Sequence, residues 1–467
     1  MPNKLSACTS ILIGKNASID GSIMIGRNED AKAAWPKHMV IHPHGAVPRK
    51  FVSKETKLEI DLPDDSARYS ATPEWTDKYG LFEEDGINEY NVAMSATESA
   101  YSNNLVLGAD PLVKNGLNEE AMVTVVLPFV KTAREGVLRL GNLIAKYGTG
   151  ETNGVLFADD NEAWYFESGA GHYWVAQRIP DDCYAVVANQ LAIQEIDFND
   201  PDNFMFHPGI QQFVDENNLN PDPSTFNFRK IFGTADRSDA IYSEPRVWIG
   251  QQMFSPKQAK DETPESTELP FLMKPDRKLS ILDAQSYLKN HYEGTEFDPI
   301  SDGKSAHKYR PISLAKTQES HILQTGRKGP DIHWLAMGVA NESTYVPFFN
   351  GITKVPASYG RGKLPAQLNS AYWIFKHASV LVDSHLHDFL PLLRDVQKER
   401  DAAAQQLIRE TDAKALTLQG KALTDYLNTQ SDNFANDTLS AYRNLAMQLV
   451  TKMTDYCELN FKTDENL

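Results

Sequence analysis

Cys8 and the run Gly26-Arg27-Asn28-Glu29-Asp30 are the residues whose types could do chemistry together. A cysteine attacks as its thiolate, and a neighbouring guanidinium favours that form. A carboxylate at Asp30 can orient an ammonium or a thiol proton. The two pieces meet only if the chain folds back between them. Cys8-Thr9-Ser10-Ile11-Leu12-Ile13 is apolar and β-branched, 16–21 carries turn chemistry including Asp20-Gly21, and Ser22-Ile23-Met24-Ile25 returns. That pattern predicts a β-hairpin. Its pairing sets Cys8, at the start of the first strand, beside Arg27 and Asp30, at the end of the second. On spacing alone the same residues also fit a buried structural cysteine and a surface ion pair worth ~0–1 kcal/mol.

Other signals are weaker. His42-Pro43-His44, and His385-Leu386-His387 with Asp383 and Asp388, suggest metal ligands, yet no HExxH or CxxC pattern accompanies them. His385 and His387 fall in a predicted helix, where residues two apart face different ways. His172, beside Tyr173 and Trp174, reads as a satisfied strand histidine. Residues 148–154, Gly-Thr-Gly-Glu-Thr-Asn-Gly, have their third glycine misplaced for GxGxxG and no Lys-Ser/Thr after it, and read as a turn. Cys183 and Cys457 have neither a histidine nor a cationic neighbour like Arg27 and read as inert.

The elements that must position Cys8 are strand-rich first and helical last. Strands are predicted at 92–96, 154–158, 163–167, 173–176, 184–188, 321–324 and 333–337, and an amphipathic helix over 132–147, ended by Gly148. Stretches 197–223 and 256–268 are polar and read as surface insertions. From about Ser370 the chain is rich in Ala, Leu, Gln, Lys and Glu, with Leu439, Tyr442, Ala446, Leu449 and Met453 on one helical stripe. This order favours an α+β plan over regular βαβ alternation.

The chain has 467 residues, 41% of them apolar, enough for a sizeable core. A net charge of -17 repels phosphate backbones, so nucleic acid is not an expected partner. Three cysteines make no disulfide framework, and a reducing cytoplasm fits best. No apolar run is long enough to span a membrane. Leu5-Ser6-Ala7-Cys8 mimics a lipoprotein cleavage box, but the four mostly polar residues before it, Met1 to Lys4, are no signal core.

Several stretches together resemble the PepD-type cysteine dipeptidase family, N-terminal-nucleophile hydrolases related to choloylglycine hydrolase and penicillin V acylase. They are 7–15 (Ala-Cys-Thr-Ser-Ile-Leu-Ile-Gly-Lys), Asp20-Gly21-Ser22, 26–30, Gly86-Ile87-Asn88, 93–98 (Ala-Met-Ser-Ala-Thr-Glu), Trp164-Tyr165-Phe166-Glu167, 178–182 (Arg-Ile-Pro-Asp-Asp) and His321-Ile322-Leu323-Gln324. The resemblance covers nearly the whole chain. It implies a four-layer αββα sandwich with a helical C-terminal region, divided as 1–7 (removed on maturation), 8–375 (hydrolase core) and 376–467 (helical). It implies that Cys8 is the nucleophile, that Arg27 and Asp30 position and tune it, that Asn189 serves the oxyanion hole and that Arg246 is a second active-site arginine. Glu98 falls where the acylase relatives carry an asparagine whose backbone helps form the oxyanion hole. Its side chain departs from that pattern, so only a main-chain role toward substrate carries over.

The implied chemistry suits the residue types. A cysteine at a chain terminus carries its own base, an α-amine with a pKa of about 7.7–8.0. That amine can take the thiol proton and return it to the leaving amine, and water then hydrolyses the thioester. An internal Cys8 has an amide there, so cleavage between Ala7 and Cys8 is required. The expected substrates are small peptides; no cofactor or metal is called for, and the helical tail offers a surface for self-association. The alternatives are an acylase acting on bile-salt or penicillin amides, a zinc dipeptidase, and an inactive relative that binds without cutting.

Overall fold

The computed structural model describes residues 8–98, 100–301, 303–457 and 459, except the side chain of Glu98. Strands β1 (Thr9–Ile13) and β2 (Ile23–Asp30) form the expected hairpin, antiparallel, with Thr9 opposite Asn28 and Ile13 opposite Met24. Asp20 turns it by accepting from the Ser22 amide and hydroxyl, and Gly21 sits at φ 81°, where a side chain would be strained. Four short strands follow, β3 (Val40–His42), β4 (Lys50–Val52), β5 (Glu59–Asp61) and β6 (Tyr69–Ala71), paired as β3–β6 and β4–β5. Next come β7 (Asp85–Ile87), β8 (Ala93–Glu98), β9 (Asn153–Ala158), β10 (Ala163–Ser168), β11 (Trp174–Ile179), β12 (Tyr184–Val187) and β13 (Phe204–Phe206). The last four are β14 (Leu272–Met273), β15 (Thr317–Thr325), β16 (Ile332–Met337) and β17 (Val346–Phe349).

Two sheets result, one of seven strands in the order β14-β12-β1-β2-β15-β16-β17, the other of six in the order β13-β11-β10-β9-β8-β7. Strand alternation assigns their faces. Leu12, Ile23, Ile25, Val187 and Leu323 of the first sheet share one apolar cluster with Ala93, Leu156, Tyr165 and Val175 of the second. The intervening residues point the other way. Ile11, Ile13, Met24 and Ile322 pack with Tyr372, Phe375, Leu439 and Tyr442 of the C-terminal helices. Met94, Phe157, Trp164 and Phe166 pack with Met122, Val137, Leu140 and Ile144 of helices Glu119–Val126 and Ala133–Tyr147. The fold is therefore a mixture of sheet and helix. The helix expected at 132–147 runs from Ala133 to Tyr147, with Thr132 capping it and Gly148 ending it at φ 72°.

The C-terminal helices are Ala371–Ser384, Leu386–Ala415 and Gly420–Met453. Of the expected stripe, Leu439, Tyr442, Ala446 and Leu449 are buried. His385 stands in the break between the first two helices rather than inside one. Stretch 197–223 is more ordered than its composition suggests: β13 joins the second sheet beside β11, and helix Ile210–Glu216 buries Ile210, Phe213 and Val214. These six or so apolar residues outweigh the surrounding Asn, Asp and Pro.

Candidate active site

Strand register brings the chemistry to one rim of the seven-stranded sheet. Thr9 faces Asn28 on β2, and Ser10 faces Val187 on β12, so the start of β1 meets the ends of both neighbours. Asp30, at the end of β2, faces Thr317 at the start of β15. Cys8 leads into β1 there, 5% exposed. Asn189 follows β12, and Arg246 projects from helix Glu244–Phe254. The hairpin places Cys8 and Arg27 together as the spacing predicted.

Arg27 is fully buried and divides its donors among several partners. Nη1 lies 3.3 Å from the Cys8 sulfur. Nη2 donates to the Glu84 carboxylate at 2.8 Å and to its carbonyl at 3.1 Å, and Nε donates to the Ser95 hydroxyl at 3.0 Å. Glu119 lies 3.8 Å from Nη1. Beyond Glu84 sits Lys37, also fully buried, with its ammonium 2.6 Å from Glu84 and 3.2 Å from Glu29.

Arg246 is the second buried guanidinium. Nη1 donates to the Cys8 carbonyl at 2.7 Å and to the Thr9 hydroxyl at 2.8 Å, Nη2 to Asn189 Oδ1 at 2.6 Å, and Nε to the Tyr242 carbonyl at 2.9 Å. Arginine only donates, so the atom of Asn189 it touches must be the amide oxygen. The amide nitrogen is then the end turned from the guanidinium. Asp30 is held by two groups: Arg310 pairs with Oδ2, and the Thr317 hydroxyl donates to Oδ1 at 2.5 Å. Arg310 also donates to the Thr9 hydroxyl at 3.3 Å.

Burial pushes the Cys8 thiol up to about 12; Arg27 opposes this, while Glu119 and Asp30 reinforce it. Arg27 therefore acts in the expected direction, but loss of water outweighs it, and its charge is shared with Glu84 and Glu119. A thiol so placed is protonated near neutral pH and needs a base. Burial also raises Asp30, against Arg310 and Thr317, and pulls Arg246 down to about 10, with Arg310 adding to the effect.

The structure thus gathers Cys8, Arg27, Asp30, Asn189 and Arg246 around one strand end. Glu98 ends β8, opposite Asn153, but the expectation for its side chain lies outside the described residues, as does that for 1–7. Sequence reasoning missed Glu84, Ser95, Glu119, Arg310 and Thr317. Ser95 lay within the 93–98 stretch already singled out; the other four had no local signal.

The histidine pairs are dispersed: His42 binds Glu83 at 2.5 Å, and His44 binds Glu89 at 2.6 Å and Asp65 at 2.8 Å. His172 pairs with Asp110 at 2.9 Å. Among the described residues, Asp85, Glu319 and His321 bring ligand-type atoms within 4.8 Å of one another, all buried. Cys183 is raised to about 11, by burial first and by Asp182 next, with Lys274 opposing, while Cys457 is exposed. No helix among the described residues is long and apolar enough to cross a membrane.

Comparison with known proteins gives this geometry a family. The model of peptidase family C69 matches residues 7–399. A protein named "Probable dipeptidase" from Latilactobacillus sakei is 47% identical, covering 99% of this chain and 99% of its own. "Probable dipeptidase B" from Lactococcus lactis subsp. lactis (strain IL1403) is 38% identical, covering 97% of each, and "Dipeptidase A" from Lactobacillus helveticus is 36% identical, covering 93% of this chain and 95% of its own. Among solved structures, penicillin V acylase from Agrobacterium tumefaciens aligns with a TM-score of 0.33 at 14% identity, over 73% of this chain and 86% of that one. The family match and these relatives mark the chain as a peptide hydrolase. The chain belongs to peptidase family C69.

Proposed function

We propose that the protein is a cysteine-type dipeptidase whose nucleophile is Cys8, acting through a thioester after residues 1–7 are removed. The observation that carries this reading is the convergence on Cys8 of Arg27 at the sulfur and Arg246 at the carbonyl, the latter bonded also to Asn189. The names of the relatives supply the substrate class. The fold we assign is the four-layer αββα sandwich of N-terminal-nucleophile hydrolases, with 8–375 as the hydrolase core and 376–467 as its helical region. A reducing cytoplasm is the compartment that suits an unpaired catalytic thiol.

Removal of 1–7 exposes the α-amine of Cys8 as the base that the protonated thiol lacks. Asp30, fixed by Arg310 and Thr317, holds that amine toward the sulfur. The thiolate attacks the scissile carbonyl, and the amide nitrogen of Asn189 donates to the oxygen as charge develops. The α-amine then protonates the leaving amine, and a water cleaves the thioester. The main chain at Glu98 faces the substrate. The test is a panel of dipeptides run beside conjugated bile salts and penicillin V. Turnover of dipeptides, lost in Cys8→Ala, is expected; turnover of the other amides alone would make the protein an acylase.

A further inference from the structure

A chain of buried polar groups runs from Arg27 away from Cys8, and the mechanism above uses none of it. Arg27 Nε donates to Ser95 Oγ at 3.0 Å, and Ser95 Oγ lies 2.9 Å from His321 Nε2. The other ring nitrogen, Nδ1, lies 2.9 Å from Glu319 Oε1 and 3.2 Å from Asp85 Oδ2. Asp85 Oδ1 in turn lies 2.9 Å from His333 Nε2. Ser95, His321, Asp85 and Glu319 are completely buried.

The direction is fixed at the arginine end of the chain. Arginine has no acceptor, so Ser95 Oγ must accept from Arg27. Its hydroxyl has a proton to give His321 Nε2 and a second lone pair to accept from it, so either tautomer keeps the link. Nδ1 bonds the Glu319 carboxyl, at 2.9 and 3.1 Å, and Asp85 Oδ2 is an electrostatic neighbour 3.2 Å away. Burial holds His321 down to about 4, with Asp85 opposing and Arg27 reinforcing, which agrees with a neutral ring near pH 7. The groups facing the ring are Arg27 from β2, Ser95 from β8, Asp85 from β7, Glu84 before it, Glu319 on its own strand and His333 from β16.

We propose that Ser95 and His321 are positioning residues that hold the Arg27 guanidinium against the Cys8 sulfur, the imidazole being locked by Asp85 and Glu319. The proposal rests on the reading of Cys8 and Arg27 given above. A guanidinium on a long side chain with one nitrogen released can rotate, and its attraction for a forming thiolate falls as it moves off the sulfur. The Ser95 link at Nε opposes that rotation, while Glu84 restrains Nη2.

The test measures iodoacetamide alkylation of Cys8 in the purified enzyme against pH, following the Cys8 peptide by mass so that Cys183 and Cys457 do not contribute. Arg27→Gln should move the half-maximal pH upward by about one unit or more, a tenfold slower reaction at pH 7. Ser95→Ala should move it in the same direction, slowing alkylation at pH 7 at least threefold. Ser95→Thr, which keeps the hydroxyl, should stay within twofold of wild type. Adding Ser95→Ala to Arg27→Gln should shift the profile no further. Should Ser95→Ala fail to fold, His321→Leu breaks the same chain from its other side and should give the same shift. A shift for Arg27→Gln with wild-type behaviour in Ser95→Ala, or in His321→Leu where that replaces it, would overturn this proposal alone. No shift for Arg27→Gln would overturn it together with the reading of the site.

Discussion

Replacing Asn189 by aspartate separates chemistry from structure at one atom. The oxygen that accepts from Arg246 Nη2 at 2.6 Å is kept, while the amide nitrogen becomes a second oxygen. If the nitrogen donates to the developing oxyanion, the variant loses that donor and places an acceptor there instead. Loss of one such donor costs about 2.7–4 kcal/mol of barrier, or 10²–10³ in kcat. The added repulsion makes this a lower bound. The fold should not suffer in proportion, because the new carboxylate faces a buried guanidinium that already bonds the Cys8 carbonyl and the Thr9 hydroxyl. Unfolding stability should therefore stay within about 1 kcal/mol of wild type, below the usual effect of a core substitution. The assay is kcat and KM on one dipeptide beside a urea melt. Asn189→Ala supplies the contrast, since it leaves Arg246 Nη2 without this acceptor and should lose about 1–3 kcal/mol of stability as well as rate. Retention of more than a tenth of wild-type kcat by Asn189→Asp would refute the oxyanion role. A parallel fall in rate and stability would make Asn189 a structural residue only.

Three further outcomes follow from the buried charges. Lys37→Met removes the cation that Glu84 and Glu29 share, and should lower stability by about 3–5 kcal/mol, read by chemical unfolding. Asp331 is raised to about 8, by burial first and by Asp160 next, so the folded state keeps a proton that the unfolded chain releases. Wild-type stability thus carries a term that is full below the ordinary carboxylate pKa near 4 and is lost as pH rises toward 8. Asp331→Asn should remove that slope, gaining on wild type by a few kcal/mol between pH 4 and 8, at about 1.4 kcal/mol per unit. Dialysis against EDTA should leave dipeptide turnover unchanged, whereas a loss restored by a divalent cation would point to Asp85, Glu319 and His321 as ligands.

The hairpin and the pairing of Cys8 with Arg27 were legible because both depend on short-range pattern: β-branched strands, an Asp-Gly turn and a fixed antiparallel register. Asn189 and Arg246 were legible only through the family resemblance, since nothing in the residues between them and Cys8 announces the contact. Arg310, Glu84 and Thr317 were not legible at all. Each lies far along the chain from its partner, and a charged residue in an unmarked loop reads as a solvated one until the fold buries it. The same blindness hid the partners of Arg27 in the Lys37–Glu84–Arg27 network, because single-sequence pattern treats Lys37 and Glu84 as surface. Burial also reversed the weight given to Arg27: the guanidinium was expected to favour the thiolate, and desolvation, which sequence does not reveal, dominates. In 197–223 the error ran the other way. Asn, Asp and Pro dominate the composition, yet Phe204, Met205, Phe206, Ile210 and Phe213 suffice to make a strand and a helix.

N-terminal sequencing of dipeptide-hydrolysing enzyme, with intact mass as a check, bears most directly on the account. Cys8 should be the first residue found, its amine adjoining its own sulfur. Recovery of full activity in protein that still starts at Met1 or Pro2 would contradict the mechanism, because the nitrogen of Cys8 would then be an amide with no proton affinity to lend.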